Sequence, residues 1–352
     1  MTTTAPRDAT TPLTTDRGVR RQLVHKRAVE HVLTTAVARH GDRLLGSAQL
    51  PRCHRYFNDT STPYYDLLLV AEAARQTVEA MTHELLDVPL DARFVLGGLA
   101  VEITRLPALR IGPAPTDLAV ELHIDRSRRS RSGTLRALEG VAQCHVEGEP
   151  AARFSGALRF VPADTYTDLR ADPAPEPAGT RADSPADPAP GPADPLPPRG
   201  TPALVGRTDP RNVLIGRPDV RGHETLARVV PDPADPVFFD HPLDHLPGML
   251  LVEAARQCAL VARARDSGVP VTALVATACR AAFREFAEHD APLWCRARPE
   301  GPSGVRVSVE QRDRAIGTVD VEFTTSPDTA PAGEGLPSGH GGEPATDPGA
   351  GP

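Results

Sequence analysis

The chain has 352 residues, 40% apolar and 24% charged, a composition ordinary for a soluble globular protein and long enough for two domains. Its formal net charge of −7 lacks the basic surplus of a nucleic-acid binder, and no apolar run approaches the ~18 residues of a membrane span. The five cysteines (Cys53, Cys144, Cys258, Cys279, Cys295) have no CxxC spacing, which argues against a disulfide framework or a zinc site and leaves buried thiols.

Residues 1–19 carry threonines and prolines but no apolar signal-peptide core, so a disordered tail on a cytoplasmic protein is expected. A first unit, residues 20–162, reads as a short strand or two, then a long helix from an Asp66 N-cap to Glu84, stopped by Asp87-Val88-Pro89. Strands follow at 94–105, 118–126, 134–147 and 152–161, with the basic cluster 126–131 as a solvated connection. Residues 163–201 are dominated by proline, alanine and aspartate and read as a disordered linker stiffened by polyproline conformation. The second unit, residues 202–325, repeats the order. Its helix runs from Pro247 to Arg265, ended by Ser267-Gly268-Val269-Pro270, with strands at 271–283, 293–298, 305–311 and 316–323. Residues 326–352 form a second tail without core-forming residues.

The repetition extends to residues. Glu72-Ala73-Ala74-Arg75-Gln76 returns as Glu253-Ala254-Ala255-Arg256-Gln257, and the same offset of 181 aligns His31-Val32-Leu33 with Asn212-Val213-Leu214 and Phe57 with Phe238. A glutamate and an arginine inside an apolar helix cost several kcal/mol unless paired, so one copy alone reads as a self-neutralising i,i+3 pair, whereas the surroundings of the second copy favour function at Glu253. An apolar helix followed by antiparallel strands predicts an α+β unit whose sheet wraps a buried helix.

The stretch FFDHPLDHLPGMLLVEAARQ, residues 238–257, resembles the hot-dog dehydratases that act on 3-hydroxyacyl thioesters of acyl carrier protein. That resemblance implies His241 as catalytic histidine, Pro247-Gly248 as helix start, Glu253 as catalytic acid and Gln257 as closing glutamine. The segment from His241 to Pro247 is two residues shorter than in those enzymes, so His245 competes with His241. Val24-His25-Lys26, the run from Gln49 to Phe57, Tyr65 to Leu68 and Asp87 to Leu90 together resemble the first repeat of the A-factor biosynthesis (AfsA-like) family. The implied fold is two tandem hot-dog units packed as a pseudo-dimer. The implied activity is an acyltransferase that joins a 3-oxoacyl group from acyl carrier protein to the hydroxyl of dihydroxyacetone phosphate, with no metal or cofactor, no nucleic acid and no membrane. Whether the chain forms a homo-oligomer is open. A dehydratase or thioesterase, and a non-catalytic acyl or butyrolactone binder, are the alternatives.

The hydroxyl must lose a proton, and Glu72, Glu253, His54 and His241 are candidate bases, with Arg256 beside Glu253 lowering its pKa against burial. By analogy with dimeric dehydratases, His241 would pair with Glu72, and His54 with Glu253. Gly248 opens a helix whose free N–H groups could polarise a thioester carbonyl. By charge alone, Arg75, Arg256, Arg52 and Lys26 are partners for the acceptor's phosphate. Tyr64 and Tyr65 read as packing, and His83 as solvent-exposed. Cys53 beside His54 is discounted as a nucleophile pair, because neighbours on a strand face opposite ways. The first copy has Asp66-Leu67 where the second has Pro247-Gly248, so the two sites are not expected to be equivalent.

Overall fold

A computed structural model describes residues 13–171 and 195–328; the disorder expected of both tails and the linker falls mostly on residues outside those described. The strands are β1 Thr34–His40, β2 Arg43–Leu50, β3 Arg93–Ile103, β4 Thr116–Arg129, β5 Leu135–Val146, β6 Glu149–Val161, β7 Asp219–Arg221, β8 Glu224–Arg228, β9 Leu274–Phe283, β10 Leu293–Glu300, β11 Gly304–Gln311 and β12 Arg314–Thr325. They join in one antiparallel sheet of order β1-β2-β4-β5-β6-β3-β9-β12-β11-β10-β8-β7, which reads alike from either end once the second six are matched to the first. At the central seam β3 pairs with β9, Leu99 opposite Ala281 and Ala100 opposite Arg280. With the 181-residue offset this register is its own two-fold image, the signature of a pseudo-dimer.

The helices α1 Leu67–Leu85 and α3 Gly248–Ser267 form where the sequence places them. The Leu68 N–H donates to Asp66 Oδ1 (2.8 Å), so Asp66 caps α1 as expected. Along α1 only Arg75, Glu84 and Leu85 are not buried, which explains a sequence apolar on nearly all sides. It lies close on β2 because position 46 is glycine: a Cβ there would sit 2.3 Å from Thr77 Cγ2. Gly268, at φ 72°, ends α3 in the left-handed conformation that glycine adopts without strain.

Three expectations need correction. Residues Ala163–Ala171, assigned to the linker, form a helix, α2. Asp164 to Asp168 are weak helix formers; Arg170 docks the helix, bidentate to Glu288 (2.8 and 2.8 Å) and bonded to Asp244 (3.0 Å), partners too distant in sequence to be seen from composition. Cys53 is exposed, whereas the other four cysteines are buried. The basic cluster 126–131 begins on β4, which runs to Arg129 before the turn, although its arginines are exposed as expected.

The seam and the cross-repeat bonds described below hold the halves together without the connecting segment. A chain cut at a protease site engineered into residues 172–194 is therefore expected to elute as one particle in size-exclusion chromatography, and separated halves would refute the shared sheet.

A candidate active site at one of two pseudo-equivalent positions

Each copy of the repeated pentapeptide builds the same cradle. Arg75 donates to Glu72 through Nε (2.9 Å) and Nη2 (2.8 Å), Gln76 Nε2 donates to Glu72 Oε1 (2.9 Å), and Lys26 Nζ lies 3.0 Å from the same oxygen. In the second repeat Arg256 donates to Glu253 (2.6 and 2.7 Å), Gln257 donates to it (2.7 Å), and Arg207, the counterpart of Lys26, donates at 2.9 Å. Both glutamines tie the helix to the segment before it. Gln76 accepts from Leu33 N and donates to the His31 carbonyl, and Gln257 does the same with Leu214 N and Asn212 O. Burial pushes both carboxyls up, but the cations win: Arg75 and Lys26 hold Glu72 well below the carboxylate range, and Arg207 and Arg256 hold Glu253 at about 2.

A second symmetric device crosses between repeats. Asp59 accepts from Thr208 N (2.9 Å) and Asp209 N (3.0 Å), while its counterpart Asp240 accepts from Arg27 N and from Ala28 N (3.0 Å). Each repeat thus anchors the turn that carries the cationic residue of the other.

What differs is what fills the space. Around Glu253, Arg207 donates to the carbonyls of Tyr56 (2.8 Å) and Asp59 (3.1 Å), lies over the Tyr56 ring (4.7 Å) and approaches Asp66 (3.4 Å). Arg207 and Glu253 are 0% exposed, so this position is sealed. At the counterpart of Tyr56 stands Val237, and at that of Asp66 stands Pro247. Around Glu72 the result is a cavity of about 650 Å³, bounded by residues of both repeats and reached by α2 through Tyr166 and Arg170. The backbone at Pro247 (φ −60°, ψ 138°) matches that at Asp66 (φ −60°, ψ 136°), yet proline has no side chain to cap α3. The start of α3, at Gly248 and Met249, faces the cavity without a side-chain cap.

The histidines gather at the open position. His83, expected in solvent, is buried: its Nδ1 lies 2.8 Å from the Val88 carbonyl and its Nε2 lies 2.8 Å from His25 Nε2. A carbonyl only accepts, so Nδ1 of His83 carries the proton, its Nε2 accepts, and His25 is the donor. Burial, with His83 and Arg75 nearby, pushes His25 down to about 3. His54 accepts at Nδ1 from the N–H groups of Tyr56 and Phe57 (3.2 Å each), and burial together with His31 pushes it down to about 4. Neutral and bonded in this way, His54 keeps its proton on Nε2 and is a donor rather than a base. His241 is lowered by burial, against the pull of Asp240.

The candidates separate accordingly. Glu72, His54, His241, Gly248, Arg75 and Lys26 line this cavity, His241 and Gly248 coming from the other repeat. Glu253 and Arg256 lie outside it in the sealed cradle, so His54 does not pair with Glu253, and Glu253 is not a free base. Arg75 and Lys26 are spent on Glu72, and Arg52 is exposed away from the cavity. His245 lines the cavity under α2, held by Asp244 (2.7 Å). The Tyr64 hydroxyl bonds Asp328 and that of Tyr65 bonds the Leu50 carbonyl, which is packing. Cys53 and His54 are not on a strand, but Cys53 does not line the cavity. Sequence reasoning missed Glu79, His25, Asp240 and the helix α2; for Glu79 the signal was its place two turns after Glu72, on the same face of α1.

The chain matches the A-factor biosynthesis hotdog domain over residues 7–162 and 189–327. It is 32% identical over 304 residues to a 2-oxo-3-(phosphooxy)propyl 3-oxoalkanoate synthase of Streptomyces virginiae, covering 85% of this chain and 95% of the relative. A protein of the same name from Streptomyces griseus is 30% identical, covering 78% of this chain and 84% of the relative. Among solved structures, the 12:0-ACP thioesterase from Umbellularia californica is 12% identical with a TM-score of 0.46, covering 82% of this chain and all of that one. With a family match spanning both repeats, this chain belongs to the A-factor biosynthesis hotdog family.

Proposed function

We propose that this chain is an acyltransferase that condenses a 3-oxoacyl thioester of acyl carrier protein with the hydroxyl of dihydroxyacetone phosphate, in the cytoplasm, as a step of γ-butyrolactone synthesis. The name of the relatives, 2-oxo-3-(phosphooxy)propyl 3-oxoalkanoate synthase, describes the product of that reaction. The observation that carries the reading is the open position around Glu72. It joins an uncapped helix start, an apolar wall and arginines without a carboxylate partner among the described residues in one cavity. On this reading residues 20–162 and 202–325 are two hot-dog units, and only one of their two pseudo-sites turns over substrate.

The thioester carbonyl oxygen sits at the N–H groups of Gly248 and Met249. There the partial positive charge of α3, of order +0.5, stabilises the developing oxyanion. His54 Nε2–H supplies a further donor. The acyl chain lies along Phe94, Leu96, Leu158, Leu246 and Phe283, which line the same cavity. Arg93, Arg159 and Arg284 are exposed at its edge, and none pairs with a carboxylate among the described residues, so their charge is available to a phosphate. Glu72 orients Arg75 and Lys26 rather than taking the proton, since its sealed twin has the same cradle.

Mass spectrometry of products from a 3-oxoacyl carrier thioester, with and without dihydroxyacetone phosphate, tests the reading. A phosphate-bearing ester formed only with the acceptor is expected. Free acid, dehydration of a 3-hydroxyacyl thioester, or acyl binding without turnover would replace it with the thioesterase, dehydratase or binder reading.

A further inference from the structure

Glu79 is the second carboxylate on the cavity face of α1, and its situation is the reverse of that of Glu72. Its side chain is 4% exposed and lines the cavity. Arg75 Nη1 donates to Oε1, while Oε2 is buried with no hydrogen-bond partner among the described residues. A buried carboxylate oxygen without a donor is costly and uncommon, and it marks a place where a substrate proton can go. The sealed position is an internal control. There the Glu-Arg-Gln cradle is complete, but the counterpart of Glu79 is Leu260, and those of His25 and His83 are Gly206 and Ala264. The acid is present only where the cavity is.

We infer that Glu79 is the general base of the condensation, a role that rests on the acyltransferase reading above. Its Oε2 takes the proton of the acceptor hydroxyl as that oxygen bonds to the thioester carbonyl carbon. The carbonyl electron pair moves onto oxygen at the start of α3. When the tetrahedral intermediate collapses, the C–S bond breaks and the Glu79 carboxyl returns its proton to the departing thiolate, giving ester and carrier thiol. Arg75 forks between the two glutamates and holds Glu79 in place.

The charge environment suits this work. Burial raises Glu79 to about 7, with Arg75 opposing and Glu72 reinforcing the rise. The other charged or titratable groups on the cavity wall are His25, Lys26, His31 and His54 ahead of α1, Arg93 from β3, Arg159 from β6, Tyr166 and Arg170 from α2, and Asp240, His241, Asp244, His245, Arg284 and Glu285 from the second repeat. The base must be ionised, so turnover is present above this pKa and lost as pH falls through it.

The test is the pH profile of ester formation by the full chain and by E79Q, which keeps shape and an acceptor for Arg75. Wild type is expected to show a rising limb of kcat/KM near pH 7. E79Q should lose about 10²- to 10⁴-fold in kcat and lose that limb, the usual scale for general-base assistance. Activity of E79Q within a few-fold of wild type, or a lowered activity that keeps the limb, would overturn the role. Should E79Q fail to fold, the wild-type profile still decides: no limb between about pH 6 and 8 overturns it. A wild type that makes no ester refutes the acyltransferase reading instead.

Discussion

Replacing Arg207 by methionine is expected to lower the unfolding free energy by about 3–5 kcal/mol, the range for removing one partner of a buried, hydrogen-bonded charge network. Arg207 is wholly buried and reaches four acceptors: two carbonyls of the first repeat, Asp66 and Glu253. Methionine fills similar volume but leaves those acceptors short of a donor and Glu253 short of a cation. None of this touches the cavity around Glu72, so the folded variant should keep turnover within several-fold of wild type. Urea denaturation and an activity assay at low temperature measure the two effects. A variant with an unchanged urea midpoint and collapsed turnover would return Glu253 to the chemistry and sink the structural assignment.

The duplication was legible because the repeated pentapeptide is a core device: a buried carboxylate needs an arginine, a glutamine and a basic residue around it in either copy. The long helices were legible for a related reason, since Asp66 caps and Gly268 terminates by local geometry alone. Which copy is open was not. That depends on Tyr56 and Asp66 reaching across to Arg207, and on Val237 and Pro247 failing to do the equivalent, contacts between residues about 150 positions apart. The dehydratase-like stretch drew attention to Glu253, but its His241 and Gly248 serve the cavity around Glu72. Glu79 escaped because an acid on a helix is ordinary until its burial and its orphaned oxygen are seen. His83 escaped because an imidazole near a helix end reads as solvent-facing, and only tertiary packing against His25 and Phe94 buries it.

Pro247→Asp installs in the open position the cap that closes the other one. It should move stability and activity in opposite directions. The backbones at 66 and 247 agree within 2° in ψ, so an aspartate at 247 can accept from Met249 N–H as Asp66 does from Leu68 N–H. Such a cap stabilises a helix by about 1 kcal/mol, and the melting temperature should hold or rise. The same carboxylate occupies the donor assigned to the thioester oxygen and puts a negative charge beside it, so kcat should fall by about 10²- to 10³-fold, as when an oxyanion donor is lost. Pro247→Ala separates the causes: it removes the ring without adding a cap, and is expected to stay near wild-type turnover. Equal losses in both variants would mean that proline positions the loop before α3, and full activity in Pro247→Asp would remove the helix start from the mechanism. The internal duplication makes the substitution a fair one, because the chain already contains the capped version of this helix start beside the wholly buried side chains of Arg207 and Glu253.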